Sequence, residues 1–509
     1  MGPLGDLLTQ KAKKNKGKPY LYFLDQVVSY EAVNDSANRM ANAFSALGIC
    51  KGDHVTVMLP NCPEYLYCWF GLAKLGAVMV AINIRYRAEQ LQNLIEASDS
   101  SLIVTSPDLL SQAEGMNHNI KGVETVMVTD EVFISSSTSP PAGVPAVEDI
   151  EPMIISFTSG TTGMPKLVRN SHRAYITAAR DLAFRYLGIS EEDKIYSTLP
   201  LYHANPQVYC VLTALVADAS IVVARRFSAS RFWDDVRTYN ATVFSYVGAI
   251  LPILLAQPER SDDRHVPAVK CVGGGAPKNV YEAVTRRFGM QVHELYGMSE
   301  TGTFNTINRA GKGKAGTVGQ VREGFDVRIF DDQDDELPPG EIGEIVIRPT
   351  KPYIMFDGYY NSPEETVESS LNWWFHTGDL GKVDKDGYYY FCGRKKESIR
   401  RAGENISPYD IENAINEHPA VAESAAFGIA DPVMEEEIGV AVVKKPSLTL
   451  SQDEIITWCE SRLPKFLIPR YIEFMEKLPK SASEKVQKGV LKERGLTPAT
   501  WDRQRTLEK

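Results

Sequence analysis

The sequence predicts an α/β fold followed by a small α+β unit at the C-terminal end. The first third of the chain alternates helical and strand-like patterns, as α/β proteins do. Two turn sequences, DDQDDELPPGEIG and DKDG, each separate two short apolar runs, a pattern typical of β-hairpins. Beyond about residue 396 the chain has helix and strand patterns of its own, enough for a separate small domain.

The N-terminal elements follow from the spacing of the apolar residues. Residues 30–47 have helical spacing, and residues 54–59 (HVTVML) predict a strand that ends at a proline. A helix is predicted over 65–75, and the apolar run that follows it at 76–84 is typical of a core strand or a buried helix. Residues 135–147 (SSSTSPPAGVPAV) predict a surface loop, and this loop leads into a short buried strand, MIISF.

The second half of the chain predicts two hairpins and then the small domain. The hairpin strands are 326–330 with 344–348, and 380–383 with 388–392. We place the domain boundary between residues 1–395 and residues 396–509. The smaller domain is predicted to contain helices at 408–417 and 452–462 and strands at 422–428 and 439–444.

Composition excludes several classes of protein. The 509 residues are 43% hydrophobic and 24% charged, which excludes wholesale disorder. A formal net charge of -10 disfavours nucleic acid as the main partner, although it does not exclude a nucleotide. The seven cysteines are scattered and form no Cys-x-x-Cys pair, so we expect reduced thiols in a cytoplasmic protein. The N-terminal sequence has no secretory pattern, and no apolar run has the ~20 residues of a membrane span.

The segment TSGTTGMPK has the composition of a phosphate-binding loop and follows the predicted strand MIISF. Glycines let backbone N–H groups converge, hydroxyls add donors, and a lysine adds a mobile positive charge. It is not a Walker loop, because Met164 and Pro165 separate the last glycine from the lysine. A flexible linker is the alternative interpretation. The candidate nucleotide-binding residues are Thr158, Ser159, Gly160, Thr161, Thr162, Gly163 and Lys166.

This loop resembles that of the adenylate-forming superfamily, which comprises acyl-CoA ligases, peptide-synthetase adenylation domains and luciferases. Further segments are similar to motifs of that family, in the family's order: GGGAP, YGMSET, HTGD, GRKKESIRRAGENIS and PKSASEKVQK. The resemblance covers nearly the whole chain, and carnitine/crotonobetaine-type and medium-chain acyl-CoA ligases are the most similar members. It implies a large N-terminal domain of packed sheets with surrounding helices, and a mobile C-terminal α+β lid.

The resemblance also implies roles for residues at the nucleotide. The ring of Tyr296, beside Gly297, would cover the adenine, Ser299 would meet the α-phosphate, and Glu300 would hold Mg²⁺. Asp379 and Arg394 would bind the ribose hydroxyls. The bare backbone against which adenine and the acyl group lie would be supplied by Gly274, Gly275, Ala276 and Pro277.

Four more residues acquire roles from the same motifs. Lys485 occupies the position of the catalytic lysine, beside Glu484 where the family usually has glycine. Lys396 falls on the hinge position, and Gly403 on the position that lets the pantetheine arm pass. His203, in PLYHAN, would line the acyl pocket or gate the thiol tunnel, although an isolated histidine is more often a packing residue.

Together these matches imply an enzyme with two half-reactions. A carboxylate would attack the α-phosphate of Mg·ATP to give an acyl-adenylate and pyrophosphate, and coenzyme A would then displace AMP. The acid would be small to medium or aromatic, and the protein could form a homo-oligomer. In the alternative interpretation, adenylation is kept and coenzyme A is not the acceptor. The acceptor would be a carrier-protein thiol or an amine, or the enzyme would adenylate an oxyacid such as nitrite. A second alternative, from a different class of function, is a noncatalytic regulator that binds a nucleotide.

Overall fold

The computed structural model describes residues 2–86, 88–111, 124–158, 165–401, 404–446, 448–480 and 486–504. Across these ranges the chain folds into four β-sheets with helices packed around them. None of the helices within them combines the length and the apolar character that a membrane crossing needs.

The strands are labelled in chain order. They are β1 (Pro19–Phe23), β2 (Gln26–Ser29), β3 (His54–Met58), β4 (Val78–Ala81), β5 (Ser100–Thr105), β6 (Glu124–Met127), β7 (Pro152–Thr158), β8 (Lys166–Ser171), β9 (Lys194–Ser197), β10 (Ser220–Val223), β11 (Val243–Val247), β12 (Lys270–Gly274), β13 (Gln291–Tyr296), β14 (Thr306–Ile307), β15 (Gln320–Val321), β16 (Phe325–Phe330), β17 (Gly343–Pro349), β18 (Phe375–Val383), β19 (Tyr389–Arg394), β20 (Ile399–Arg401), β21 (Glu404–Ile406), β22 (Val421–Asp431), β23 (Glu435–Lys444), β24 (Tyr471–Phe474) and β25 (Trp501–Asp502).

Helices cover the faces of these sheets. The α-helices are Leu4–Asn15, Tyr30–Ala46, Pro63–Leu75, Ala88–Ala97, Glu131–Ser135, His172–Arg180, Thr213–Val216, Phe232–Tyr239, Ile250–Leu255, Lys278–Phe288, Pro363–Glu368, Pro408–Asn416, Gln452–Glu460 and Lys488–Arg494. Segments Asp181–Leu187 and Pro206–Leu212 are π-helical, and short 3₁₀ turns occur at Pro107–Leu109, Asp263–His265, Leu371–Trp373, Lys395–Glu397 and Lys465–Leu467.

The largest sheet has nine strands in the order β15-β14-β13-β12-β11-β9-β10-β1-β2. Its central strands, from β13 through to β1, are parallel. At the edges β2 pairs antiparallel with β1, β14 pairs antiparallel with β13, and β15 pairs antiparallel with β14. After β9 the chain places β10 on one side of that strand and β11 on the other. The connections therefore diverge between β9 and β11, which opens a crevice at the carboxyl ends of these strands.

A second sheet, in the order β6-β5-β3-β4-β7-β8, is parallel except for the antiparallel pair β7 and β8. In that pair Thr158 lies opposite Lys166, so the two ends of the predicted phosphate loop are held side by side. The largest apolar core contains residues of both sheets and of the helices between them, among them Leu21, Val55 and Trp69. Burial of these side chains is the main force that holds the two sheets together.

A third sheet carries the residues predicted to bind ribose. Its four strands, β16-β17-β18-β19, are all antiparallel. Both predicted hairpins are confirmed, since β16 pairs with β17 and β18 pairs with β19. In the second hairpin the register places Asp379 directly opposite Arg394.

The C-terminal sheet has its own core. Its path is β21-β20-β23-β24-β25, with β22 paired to β23. The helices Pro408–Asn416 and Gln452–Glu460 share one apolar cluster with strands of this sheet, and a second cluster includes Phe427 and Leu491. The third sheet ends at Arg394 and this one begins at Ile399, on either side of the predicted boundary, which stays a prediction.

Most predicted elements are confirmed to within a few residues. The helix predicted at 65–75 begins two residues earlier, because Pro63 occupies its first turn, where a missing N–H is harmless. The apolar run at 76–84 contributes only the four residues of β4, all buried. A second apolar run of the sequence, residues 210–216, lies in a π-helical segment and in the α-helix that continues it.

Candidate active site

Several predicted site residues lie beyond the carboxyl ends of parallel strands of the nine-stranded sheet. His203 follows β9, Gly275 follows β12 and Gly297 follows β13, and Gly248, which lies next to Gly275, follows β11. Strands β9 and β11 border the crevice where the direction of connection changes, and β12 and β13 follow β11 in the sheet. In open α/β sheets this is the place where ligands bind.

The glycine-rich segment forms a smooth backbone surface at this crevice. A Cβ on Gly273 would lie 2.0 Å from the carbonyl oxygen of Tyr246, across the pair of strands β11 and β12. Gly275 has a φ of +99°, and a Cβ there would lie 2.7 Å from Cα of Gly248. Any residue larger than glycine is therefore excluded at these two positions, and a flat group can approach the main chain closely.

The buried side chain of Glu294 holds this glycine segment in place. Its carboxylate accepts hydrogen bonds from the backbone N–H groups of Gly275 and Ala276 and from the hydroxyl of Tyr246. The side chain is buried, and burial raises the pKa of Glu294 to about 7, although these hydrogen bonds act in the opposite direction. A buried carboxyl with this pKa titrates close to neutral pH.

The raised pKa of Glu294 predicts a pH dependence of stability. Between its ordinary pKa of 4.5 and about 7 the folded state binds more protons than the unfolded state, so the free energy of unfolding falls as pH rises. Glu294→Gln removes this titration. We expect the variant to lose less stability than the natural protein between pH 5 and 7, by on the order of 2 kcal/mol. Urea unfolding at several pH values measures this difference, and two curves with the same pH slope would contradict the assignment.

Tyr296, at the end of β13 and next to the strand that carries the glycine-rich segment, meets Asp379 and Arg394. The Tyr296 hydroxyl donates to Oδ2 of Asp379 at 2.8 Å, and Nε of Arg394 lies 3.4 Å from Oδ1. Asp379 is only 5% exposed, and the Tyr296 ring packs 6.0 Å from the ring of Phe391. Burial raises the pKa of Tyr296 well above its ordinary value, and the nearby Asp379 charge adds to that effect, so the hydroxyl stays protonated and donates.

The backbone around Asp379 is fixed by its neighbours. Thr377 donates its hydroxyl to the carbonyl of Ile345 at 2.7 Å and accepts the backbone N–H of Asp379 at 3.0 Å. The Glu344 carboxylate accepts the N–H of Gly378 at 2.9 Å. These bonds hold a carboxylate, a phenol and a guanidinium in one orientation, which suits recognition of a pair of vicinal hydroxyls.

The predicted hinge lies immediately after this group, in the turn Lys395–Glu397. Nζ of Lys395 lies 2.9 Å from Asp332 and 3.3 Å from Glu344, both in the N-terminal part of the chain. On the other side of the exposed Lys396, Glu397 is paired with Lys488 at 3.2 Å. The residue before Lys396 is thus paired with the N-terminal part of the chain, and the residue after it is paired with the C-terminal part.

Glu300 and Lys166 are connected through a tyrosine that sequence analysis missed. The Tyr359 hydroxyl donates to Oε1 of Glu300 at 3.3 Å, and Nζ of Lys166 lies 4.5 Å from the centre of the Tyr359 ring. Lys166 also pairs with Glu365 at 3.6 Å, on the exposed helix Pro363–Glu368. Tyr359 and Glu365, neither of which was predicted, both lie in the segment GYYNSPEET, and its Gly-Tyr-Tyr before a helix start was the available signal.

The chemistry of Glu300 fits the magnesium ion that the resemblance implies. Glu300 is 7% exposed, forms no ion pair within the described ranges, and burial raises its pKa. A buried carboxylate of this kind is stabilised by a hard cation. Within the described ranges there is no group of three or more acidic, His or Cys side chains that could hold a metal ion.

His203 and Ser299 occupy the edges of the site. The His203 ring is half-buried and packs 4.6 Å from the ring of Tyr202. Near it, Asn205 donates its side-chain amide to the carbonyl of Tyr246 at 3.2 Å. The backbone carbonyl of Ser299 accepts the side-chain amide of Asn170 at 3.1 Å, which anchors the segment YGMSET to β8.

Some predicted residues lie outside the described ranges, and their roles stay predictions. They are Ser159, Gly160, Thr161, Thr162, Gly163, Gly403 and Lys485. The chain beside two of these gaps is defined: Thr158 pairs with Lys166, and Lys480 forms an antiparallel bridge with Val486.

Comparison with known proteins identifies the family. Residues 8–360 match the AMP-binding enzyme family, and residues 410–485 match the AMP-binding enzyme C-terminal domain. The chain belongs to the AMP-binding enzyme family. This AMP-binding enzyme is 35% identical over 481 residues to a crotonobetaine/carnitine–CoA ligase of Salmonella paratyphi B, covering 91% of its own length and 93% of the relative.

Solved structures agree with this family assignment. ATP-bound MatB from Rhodopseudomonas palustris is 26% identical with a TM-score of 0.88, covering 97% of this AMP-binding enzyme and 99% of that chain. O-succinylbenzoate CoA synthetase (MenE) from Bacillus subtilis, in complex with its acyl-adenylate, is 27% identical with a TM-score of 0.85, covering 96% and 98%. The predicted superfamily resemblance and the predicted fold class are confirmed.

Proposed function

We propose that the protein adenylates a compact carboxylic acid with Mg·ATP and then transfers the acyl group to coenzyme A, releasing AMP. The predicted reaction class, an AMP-forming acid–CoA ligase, is confirmed by the family and its CoA-ligase relatives. The observation that carries the assignment of residues is the convergence of Tyr296, Asp379 and Arg394 beside the bare backbone of Gly275.

This arrangement supports a nucleoside-binding role for each of these residues. The Asp379 carboxylate would accept hydrogen bonds from the ribose hydroxyls, and Arg394 would donate to the same ring. The adenine would lie between the Tyr296 ring and the neighbouring backbone after β12. The two carboxylate oxygens of Asp379 and the guanidinium of Arg394 would fix the orientation of the sugar, and with it the position of the α-phosphate.

The chemistry requires charge stabilisation more than acid or base catalysis. A carboxylate is a poor acyl donor because oxide is a poor leaving group, whereas AMP leaves readily. Lys166 would bind the outer phosphates, Ser299 would meet the α-phosphate, and Lys485 would stabilise the charge that builds as pyrophosphate departs. Glu300 would hold Mg²⁺, which neutralises phosphate charge when bound.

The acyl pocket would lie between β9 and β11, with His203, Asn205, Gly248 and Gly275 on its walls. The bare glycines leave room, while the Asn205 amide and the His203 ring make one wall polar. We therefore expect a small to medium or aromatic acid. Carnitine and crotonobetaine are the first acids to test, because a 35% identical relative is named for them.

The test is pyrophosphate release from Mg·ATP with a panel of acids. The panel contains short, branched, aromatic and carnitine-like acids, together with nitrite, each with and without CoA. We expect one class of acid to give turnover that rises with CoA and yields AMP and a thioester. Pyrophosphate without any effect of CoA would point to an amine or carrier-protein acceptor, and no pyrophosphate with any acid would contradict the assignment.

A further inference from the structure

A short segment physically joins the Glu300 loop to the strand that begins at Lys166. The backbone N–H of Phe356 donates to the carbonyl of Glu300 at 3.0 Å. The next residues bond to β8, since the N–H of Asp357 donates to Arg169 at 2.8 Å and that of Tyr360 donates to Leu167 at 2.8 Å. Residues 356–360 therefore fix the distance between these two parts of the site.

Tyr359 is the side chain of this segment that faces both groups. Its hydroxyl donates to Glu300, and its ring face lies under the ammonium of Lys166. The side chain is 8% exposed, and its backbone N–H donates to the hydroxyl of Thr366 at 2.9 Å. Both contacts depend on the same χ1 rotamer, because a change of χ1 would move the hydroxyl away from Glu300 and the ring face away from Lys166.

We propose that Tyr359 is a positioning residue that couples the metal-binding carboxylate to the phosphate-binding lysine. The inference rests on the proposed roles of Glu300 and Lys166. The hydroxyl orients the Glu300 carboxylate for a cation, and the ring face keeps the Lys166 ammonium over the site before a nucleotide arrives. Glu365, on the exposed helix, is the competing partner that Lys166 exchanges for phosphate.

The two contacts of Tyr359 are separable by substitution. Tyr359→Phe removes only the hydroxyl, so it should weaken the contribution of Mg²⁺ to ATP binding and leave metal-free binding unchanged. Tyr359→Leu also removes the ring face, so it should weaken binding in both conditions. Tyr360→Phe is the matched control, because its hydroxyl bonds to Asp99 at 2.8 Å, outside the site.

The experiment is calorimetric titration of the full-length protein with ATP, in excess Mg²⁺ and in EDTA, without any acid substrate so that no adenylate forms. For the natural protein we expect Mg²⁺ to tighten ATP binding. For Tyr359→Phe we expect this gain to shrink roughly tenfold, because one hydrogen bond to a charged group is lost. Thermal unfolding of each variant reports any separate effect on folding.

The outcomes separate this inference from the proposed function. If the natural protein binds no ATP, both are overturned. If it shows Mg²⁺-dependent binding and Tyr359→Phe matches Tyr360→Phe, only the coupling role is overturned. A loss of the same size with and without Mg²⁺ in Tyr359→Phe would also overturn it, since a merely structural residue would behave in that way.

Discussion

Replacing Lys485 with Ala is expected to lower the rate of pyrophosphate release by about 10³-fold. Its ammonium would lie where negative charge builds between the attacking carboxylate and the α-phosphate, and loss of one such group typically lowers a rate by about 10² to 10³. Thioester formation from a synthetic acyl-adenylate and CoA should be largely retained, since that half-reaction needs no attack on phosphorus. Separate assays of the two half-reactions measure the difference.

The control for this experiment is Lys480→Ala, in the same segment. Nζ of Lys480 lies 2.7 Å from Glu423 in a partly exposed ion pair, and such a pair contributes at most about 1 kcal/mol to stability. We expect both half-reactions to survive in this variant. Undiminished pyrophosphate release in Lys485→Ala would remove that lysine from the proposed role, and equal loss of both half-reactions would indicate a structural one.

Replacing Asp379 with Ala is expected to raise the KM for ATP roughly 100-fold with a smaller effect on kcat. Two hydrogen bonds from ribose hydroxyls to a buried carboxylate would be lost, at about 1.5 kcal/mol each. Both bonds would be present in the ground state and the transition state alike, so the loss should fall mainly on binding. The dependence of pyrophosphate release on ATP concentration measures it.

A nucleotide analogue makes the Asp379 experiment specific. The natural protein should discriminate against 2′-deoxy-ATP, because that analogue leaves one carboxylate bond unmade. Asp379→Ala should lose this discrimination, while Asp379→Asn, which keeps the side-chain shape and one acceptor oxygen, should retain part of it. If Asp379→Ala still discriminated as strongly as the natural protein, the ribose contact would have to be assigned elsewhere.

The local elements of the fold were predictable because their causes are local. The helix Tyr30–Ala46 has apolar residues on one face, and its start is marked by Ser29, whose side chain accepts the N–H of Ala32. The two hairpins follow from turn sequences between apolar runs. The order of strands in the nine-stranded sheet was not predictable, because the position of β9 between β10 and β11 depends on pairings between distant residues.

The site residues divide in the same way into those that local sequence predicts and those that depend on distant contacts. Motifs alone predicted Tyr296, Asp379 and Arg394, and the structure brings them into contact. Tyr359 was missed, because its link to Glu300 spans 59 positions and arises only when residues 356–360 lie against β8. The Gly-Tyr-Tyr pattern marks the segment, but the partners of Tyr359 depend on tertiary contacts that no local pattern specifies, whereas residues that bind a common ligand recur in recognisable segments.

The two ion-paired flanks of Lys396 limit how the C-terminal part of the chain can move. Lys395 is bound to Asp332 and Glu344 on one side, and Glu397 is bound to Lys488 on the other. For the rotating lid that the family resemblance implies, the bending is then concentrated in the φ and ψ torsions of one residue. The lid would then rotate as one rigid body about Lys396, and the change between adenylation and thioester formation would depend on the two backbone torsions of that residue.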